Sequence, residues 1–145
     1  VILEGSREIA APLDVVWDFV TDLNRVTKCI PDTTVEKIEG DSFKAKMKMG
    51  VGFIRGTFDG QFSLVDKNPK SSFSIKGTTK GMGNTVNVAI NITLEPSGSN
   101  VSLRYKADVI VSGTLASMGA RFMDDAAQKI VNQMFDCLKA SISAK

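Results

Sequence analysis

The stretch LASMGARFMDDAAQKIVNQMFDCLKASI, residues 115–142, decides how the rest of the chain has to fold. Its apolar positions include Leu115, Met118, Phe122, Met123, Ala126, Ala127, Ile130, Val131, Met134, Leu138 and Ile142. At about 100° per residue they sweep an arc of roughly 200°, about twice the stripe a surface helix needs to seat itself on one sheet. Arg121, Asp125, Gln128, Lys129, Asn132, Asp136 and Lys139 fill the opposite arc. The spacing predicts one long helix with more apolar surface than a single sheet face covers. Either several elements wrap it, or part of the arc looks into a space that another molecule fills. Three of the six Met lie here beside Gly119, Ala126 and Ala127; small residues leave room, and Met adapts to whatever occupies it.

Working outward, residues 34–112 show a period of two. Phe43, Ala45, Met47 and Met49 alternate with Lys44, Lys46 and Lys48, and Ile54, Gly56, Phe58, Gly60, Phe62 and Leu64 alternate with polar residues. Phe73 and Ile75 follow, then Val86, Val88, Ile90, Ile92 and Leu94, then Val101, Leu103, Tyr105, Ala107, Val109 and Val111. Such alternation marks antiparallel strands with one buried and one wet face. Glu39-Gly40-Asp41, Asn68-Pro69-Lys70 and Pro96-Ser97-Gly98-Ser99 supply turns. Gly56 and Gly60 fall on the inward side, where Gly marks a bend or bulge, so the sheet is expected to curl. Gly77 to Asn84 reads as a glycine-rich hairpin or rim; it lacks the strand-loop-helix context of a phosphate site.

Upstream, Ile2 to Ile9 reads as a strand. Pro12 suits the first turn of a helix whose face carries Val15, Val16, Phe19 and Val20, with Trp17 beside it. Asp22 is placed to cap a second short helix over residues 22–28. The fold class is therefore α+β, a helix-grip: a curved antiparallel sheet, two short helices after the first strand, and one long C-terminal helix across the concave face. That helix spans roughly 40 Å. One domain covers residues 1–145.

Composition narrows the chemistry. There are 18 Lys plus Arg against 16 Asp plus Glu, net +2, without the concentrated basic face of a nucleic-acid binder. No apolar run reaches a membrane span and no leader pattern opens the chain, so a cytoplasmic protein is expected. There is no histidine, which removes Ser-His-Asp and Cys-His nucleophiles and the usual His-containing metal sites. Cys29 and Cys137 show no metal-ligand spacing. They are expected to be two buried reduced thiols, with a bridge left open because spacing does not decide geometry. Asp124 and Asp125 diverge by about 100° on a helix and are not a catalytic pair.

Local motifs add a resemblance. Ala11-Pro12 with Val16-Trp17, Cys29-Ile30-Pro31, Met49-Gly50-Val51-Gly52 leading to Phe58-Asp59-Gly60, and Ala107-Asp108 followed by Ser112-Gly113-Thr114-Leu115 and Met118-Gly119 together resemble the CoxG family of carbon monoxide dehydrogenase subunits. The element order is that of the START/polyketide-cyclase (SRPBCC) superfamily, which includes the birch-pollen allergen fold. Asp32 stands where the family usually has Gly. The resemblance implies a non-enzymatic accessory of a molybdenum hydroxylase or carbon monoxide dehydrogenase. It also implies the handling of a quinone or other lipophilic molecule, and peripheral contact with the inner face of the membrane. The alternative is an adaptor that docks such an enzyme and has no ligand of its own.

The expected binding residues are the inward set: Met47, Met49, Phe58, Phe62, Phe73, Ile75, Val88, Ile90, Leu103, Tyr105 and Ala107 from strands, with Met118, Phe122, Ala126, Ile130 and Met134 from the helix. Ligand pockets are mostly apolar, with a few polar groups that fix orientation. Tyr105 is the natural candidate for such a group; Arg7, on the same parity as Leu3 and Ile9, is the other, although it reads first as an edge-strand or surface arginine. They are also the only groups on offer for acid-base work, which argues against an enzyme. No cofactor or metal is expected. The stripe Lys44, Lys46, Lys48 reads as a solvated outer face that discourages edge pairing, or as a surface for an acidic partner or anionic headgroups.

Overall fold

A computed structural model describes residues 2–51, 54–113, 116–117 and 120–143, and their side chains except those of 49–51, 54–55, 120–122 and 143. The strand β1 (Ile2–Ile9) leads into α1 (Leu13–Val20), α2 (Leu23–Val26) and a 3-10 turn, Thr27–Cys29. The strands β2 (Thr33–Glu39), β3 (Ser42–Val51), β4 (Ile54–Asn68), β5 (Ser72–Gly81), β6 (Asn84–Ser97) and β7 (Asn100–Ser112) follow as a meander, and α3 (Ala120–Ser143) comes last. All pairings are antiparallel, in the order β1-β7-β6-β5-β4-β3-β2. The helices after β1 thus carry the chain from one edge of the sheet to the other.

The period-two pattern produces the two faces it predicts. Phe43, Ala45 and Met47 are buried while Lys44, Lys46 and Lys48 are exposed, and Val101, Leu103, Tyr105 and Ala107 repeat the pattern on β7. The main core forms where these residues meet Val16, Phe19 and Val20 of α1 and Leu138 and Ile142 of α3. Trp17 meets Phe73 edge-on at 5.7 Å between ring centroids. Asp22 caps α2 by accepting from the Asn24 N–H, and it pairs with Arg25 Nε at 2.8 Å. The hydrogen bond from Arg25 holds the Asp22 carboxyl below its ordinary pKa.

Several expectations need correction. Pro12 is the N-cap of α1 rather than its first helical residue; its extended ψ cannot continue a helix backwards. Gly77 to Asn84 does form a hairpin, but most of it is strand, and the turn is only Met82-Gly83, both at positive φ. The long helix begins at Ala120, because Ala116 and Ser117 lie in a 3-10 turn. Asp32 has a φ of 50°, which explains why Gly suits that position; Asp tolerates the left-handed region better than most side chains. Cys29 and Cys137 are joined in a disulfide across 108 residues, with Cα atoms 5.4 Å apart, instead of being free thiols. The last turns of α3 lie on the 3-10 turn, a tertiary contact that sequence spacing does not carry.

Inward glycines let β4 and β5 coil tightly. A Cβ at Gly60 would fall 2.6 Å from Cε2 of Phe62, and one at Gly81 would fall 2.8 Å from Cδ2 of Phe58. The Phe62 and Phe58 rings therefore lie over glycines of β4 and β5, where no side chain stands.

Candidate functional site

The apolar arc of α3 divides in two. Ala127, Val131 and Phe135 pack against the main core, and Leu138 and Ile142 belong to it. At about 100° per residue these five occupy an arc of roughly 80°. Met123, Ala126, Ile130 and Met134 occupy the adjoining arc and are half-buried. Further along the same arc lie Cys137 and Ser141, covered by the 3-10 turn: Cys137 is bonded to Cys29, whose Sγ is 3.9 Å from Ser141 Oγ. The excess arc is therefore wrapped at the C-terminal end of the helix and left half-covered nearer its start. Backbone contacts agree, since α3 comes closest to the 3-10 turn, α1, β1 and β3.

The sheet answers in kind. Phe73 and Leu103 are sealed in the main core, and Met47, Tyr105 and Ala107 are buried at its border. Phe62, Ile75 and Ile90, on the same face, are half-buried and pack against the main core, and Val88 is half-buried beside them. Phe58 is only 2 % exposed but is not part of the contiguous main core among the described residues. Met118 and the side chains of Met49 and Phe122 lie outside the described residues. Two apolar surfaces that packed fully on each other would bury both; here Ile75, Val88 and Ile90 on the sheet and Ala126, Ile130 and Met134 on the helix all keep partial exposure.

One flank of the grip is closed by Arg7. Its side chain lies on the side of Leu3 and Ile9 instead of standing free at the edge as first expected, and the guanidinium is 5.9 Å from the Tyr105 ring and 5.4 Å from the Phe135 ring. It donates to Asn132 Oδ1 at 3.0 Å and to the Ser6 carbonyl at 2.9 Å. The contacts tie β1 to α3, with cation–π attraction adding to the hydrogen bonds. Tyr105 leans over Gly5 of β1, where a Cβ would fall 2.7 Å from its hydroxyl. These two polar candidates thus act as a clasp at the β1 edge. Phe135 completes the clasp. It is absent from the inward set expected from sequence, although it stands four residues after Val131 on the packed arc.

An open depression of about 480 Å³ lies on the other side of the molecule. Its walls are mainly outer-face residues, Lys37, Lys44, Gln61, Ser63, Lys76 and Thr78, with Phe43, Phe62 and Gly77 behind them. It is charged and does not meet α3, so it is not the apolar site expected between sheet and helix. No cluster of His, Cys, Asp or Glu fit to hold a metal occurs among the described residues.

The family model described as the carbon monoxide dehydrogenase subunit CoxG matches residues 5–143. A conserved protein from Geobacillus kaustophilus superposes with a TM-score of 0.92 at 24% identity, covering 99% of this chain and 96% of that one. A START superfamily protein from Mycobacterium smegmatis gives 0.70 at 12% identity, covering 99% and 97%. The protein Ara h 8.0201 gives 0.70 at 13%, covering 100% and 99%. No curated protein matches the sequence. The structural likenesses, all under 25% identity, establish the helix-grip fold.

Proposed function

The chain belongs to the CoxG family of carbon monoxide dehydrogenase subunits, and from that premise we propose that it binds an elongated apolar molecule, a quinone, isoprenoid or lipid, between the sheet and α3. It does so without catalysis, as an accessory of a molybdenum hydroxylase or carbon monoxide dehydrogenase system. The observation that carries this reading is the matched half-burial of Ile75, Val88 and Ile90 against Ala126, Ile130 and Met134. Covering such surface contributes about 25 cal/mol per Å² before ordering costs. Contact with the partner enzyme is a compatible second role, for which the exposed Lys44, Lys46 and Lys48 offer a surface to an acidic partner.

Among the described residues no helix is long and apolar enough to cross a membrane. The Cys29–Cys137 bridge weighs against the expected cytoplasmic compartment, because such bonds persist chiefly in oxidising surroundings.

The test is extraction of the purified protein with organic solvent, mass spectrometry of the extract, and melting of the stripped protein with added quinone or isoprenoid. A ligand at a hundred times its Kd adds about 2.7 kcal/mol of stability, a rise in Tm of roughly 5–10 °C for a chain of this size. An empty extract together with an unmoved Tm would refute the proposal.

A further inference from the structure

The helices pack on the inward side of the sheet, so among the described residues nothing covers its outer face. That face carries two features that a merely solvated surface does not need. The first is charge. On the outer face Lys37, Arg104 and Lys106 each meet a carboxylate, of Glu39, Glu95 and Glu4. Lys44, Lys46 and Lys48 on β3 and Lys76 and Lys80 on β5 make no ion pair among the described residues. Between them runs β4, which places Gln61 opposite Lys44 and Ser63 opposite Lys76, and sets one carboxylate, Asp59, between Lys46 and Lys80. Five ammonium groups thus surround a single carboxylate on two strands about 10 Å apart. The open depression of about 480 Å³ lies among them. Its floor is the backbone of the cross-strand row Phe43, Phe62 and Gly77, and the rows carrying Lys44 and Lys76 rise on opposite sides.

The second feature is apolar. The exposed large apolar side chains among the described residues are Ile2, Met82 and Ile110. Ile2, 62 % exposed, and Ile110, 59 % exposed, share the outer face. Ile2 stands opposite Asp108, two residues before Ile110 on β7, so the two isoleucines are diagonal neighbours within reach of one contacting side chain. A single cross-strand row, Lys76, Ala89, Asp108 and Ile2, joins the charged end of the face to the apolar end. An apolar anchor with a charged surround is the anatomy of a protein interface.

We propose that the outer face of the sheet docks an acidic polypeptide segment, its carboxylates on Lys44 and Lys76 and an apolar side chain against Ile2 and Ile110. The inference rests on the partner-contact reading above and deepens it, by giving the partner's chemistry and the side of the sheet it takes. Asp59 and Asp108 stand on the same face; a uniform layer of anionic headgroups meets repulsion at both, whereas a polypeptide places its charges to avoid them. A partner seated here leaves the inward side of the sheet free, so that ligand and partner are held at once.

The test titrates the whole protein with three probes: a helical peptide of Glu with Leu at every fourth position, the same peptide with Gln for Glu, and vesicles of phosphatidylglycerol and phosphatidylcholine. The Glu peptide is expected to bind, more weakly as salt rises, and the Gln peptide to bind about tenfold less tightly or worse. The double variant Lys44→Glu/Lys76→Glu weakens the Glu peptide by about tenfold. Lys129→Glu/Lys139→Glu makes the same charge change on the exposed polar arc of α3 and leaves affinity within about twofold. Ile110→Ser weakens binding roughly three- to fivefold through lost apolar contact. All the replaced side chains are exposed, so the variants melt close to the wild type. Equal weakening by the two double variants would overturn the proposal, because net charge alone would then account for binding. Unchanged affinity in Ile110→Ser would overturn the apolar anchor and with it the two-part face. Failure of the Glu peptide to bind would also overturn the proposal, and vesicle binding in its place would assign the face to a membrane. No apolar ligand takes part, so these failures leave the carrier reading standing, and an empty lipid extract leaves the docking face standing.

Discussion

Cys137→Ser is expected to lower the unfolding free energy by about 2–5 kcal/mol, the range for removal of a native bridge. The Cys29–Cys137 bond closes a loop of 108 residues, so it constrains most of the unfolded chain. In the folded state it fastens the last turns of α3 to the 3-10 turn. That contact covers the part of the apolar arc on which Cys137 and Ser141 lie. Reduction of the wild type is expected to reproduce the loss. Urea unfolding with and without dithiothreitol measures both, and an unchanged midpoint would show that the bond contributes nothing in solution. Because α3 is also one wall of the grip, the reduced protein is expected to release bound ligand faster.

Ala126→Phe is expected to abolish ligand binding, by a hundredfold or more, while shifting Tm by no more than a few degrees. Ala126 is half-buried and, among the described residues, is not one of those packed on the core, so a phenyl group there would fill the space that the proposed ligand takes. Loss of Ala at a helix position costs only about 0.5 kcal/mol. The neighbouring Ala127→Phe supplies the contrast. Ala127 packs against the core, and overpacking there is expected to destabilise by about 1–3 kcal/mol. Unchanged binding by Ala126→Phe, measured by titration with the same quinone or isoprenoid, would show that the helix face is misassigned.

Much of this fold was legible because its burial is written with period two. Phe43, Ala45 and Met47 against three lysines admit only one strand orientation, and Asp22 before Leu23 marks a helix start by its carboxylate alone. The β5 segment from Gly77 to Gly81 was not legible as strand, for a physical reason. Its inward positions are Gly, Thr and Gly because the rings of Phe62 and Phe58 occupy the space above the glycines. The apolar signal of that strand is carried by the strand beside it. The excess arc of the helix was visible from composition. Its division into a packed half and a half-covered half was not, since that depends on where the 3-10 turn and the disulfide bring the chain back. Phe135 was within reach of periodicity, since it stands four residues after Val131.

The central claim, that an apolar molecule sits between the sheet and α3, is tested most directly by two methionines, one on each of the elements that would enclose it. Met47 is buried on the inward face of β3, and Met134 lies half-buried on the open arc of α3. With methyl-labelled Met, NMR titration with a prenylated quinone should shift both resonances together, saturating at the same ligand concentration. Saturation of the protein with ligand while the Met47 and Met134 methyls stay unmoved would contradict the account.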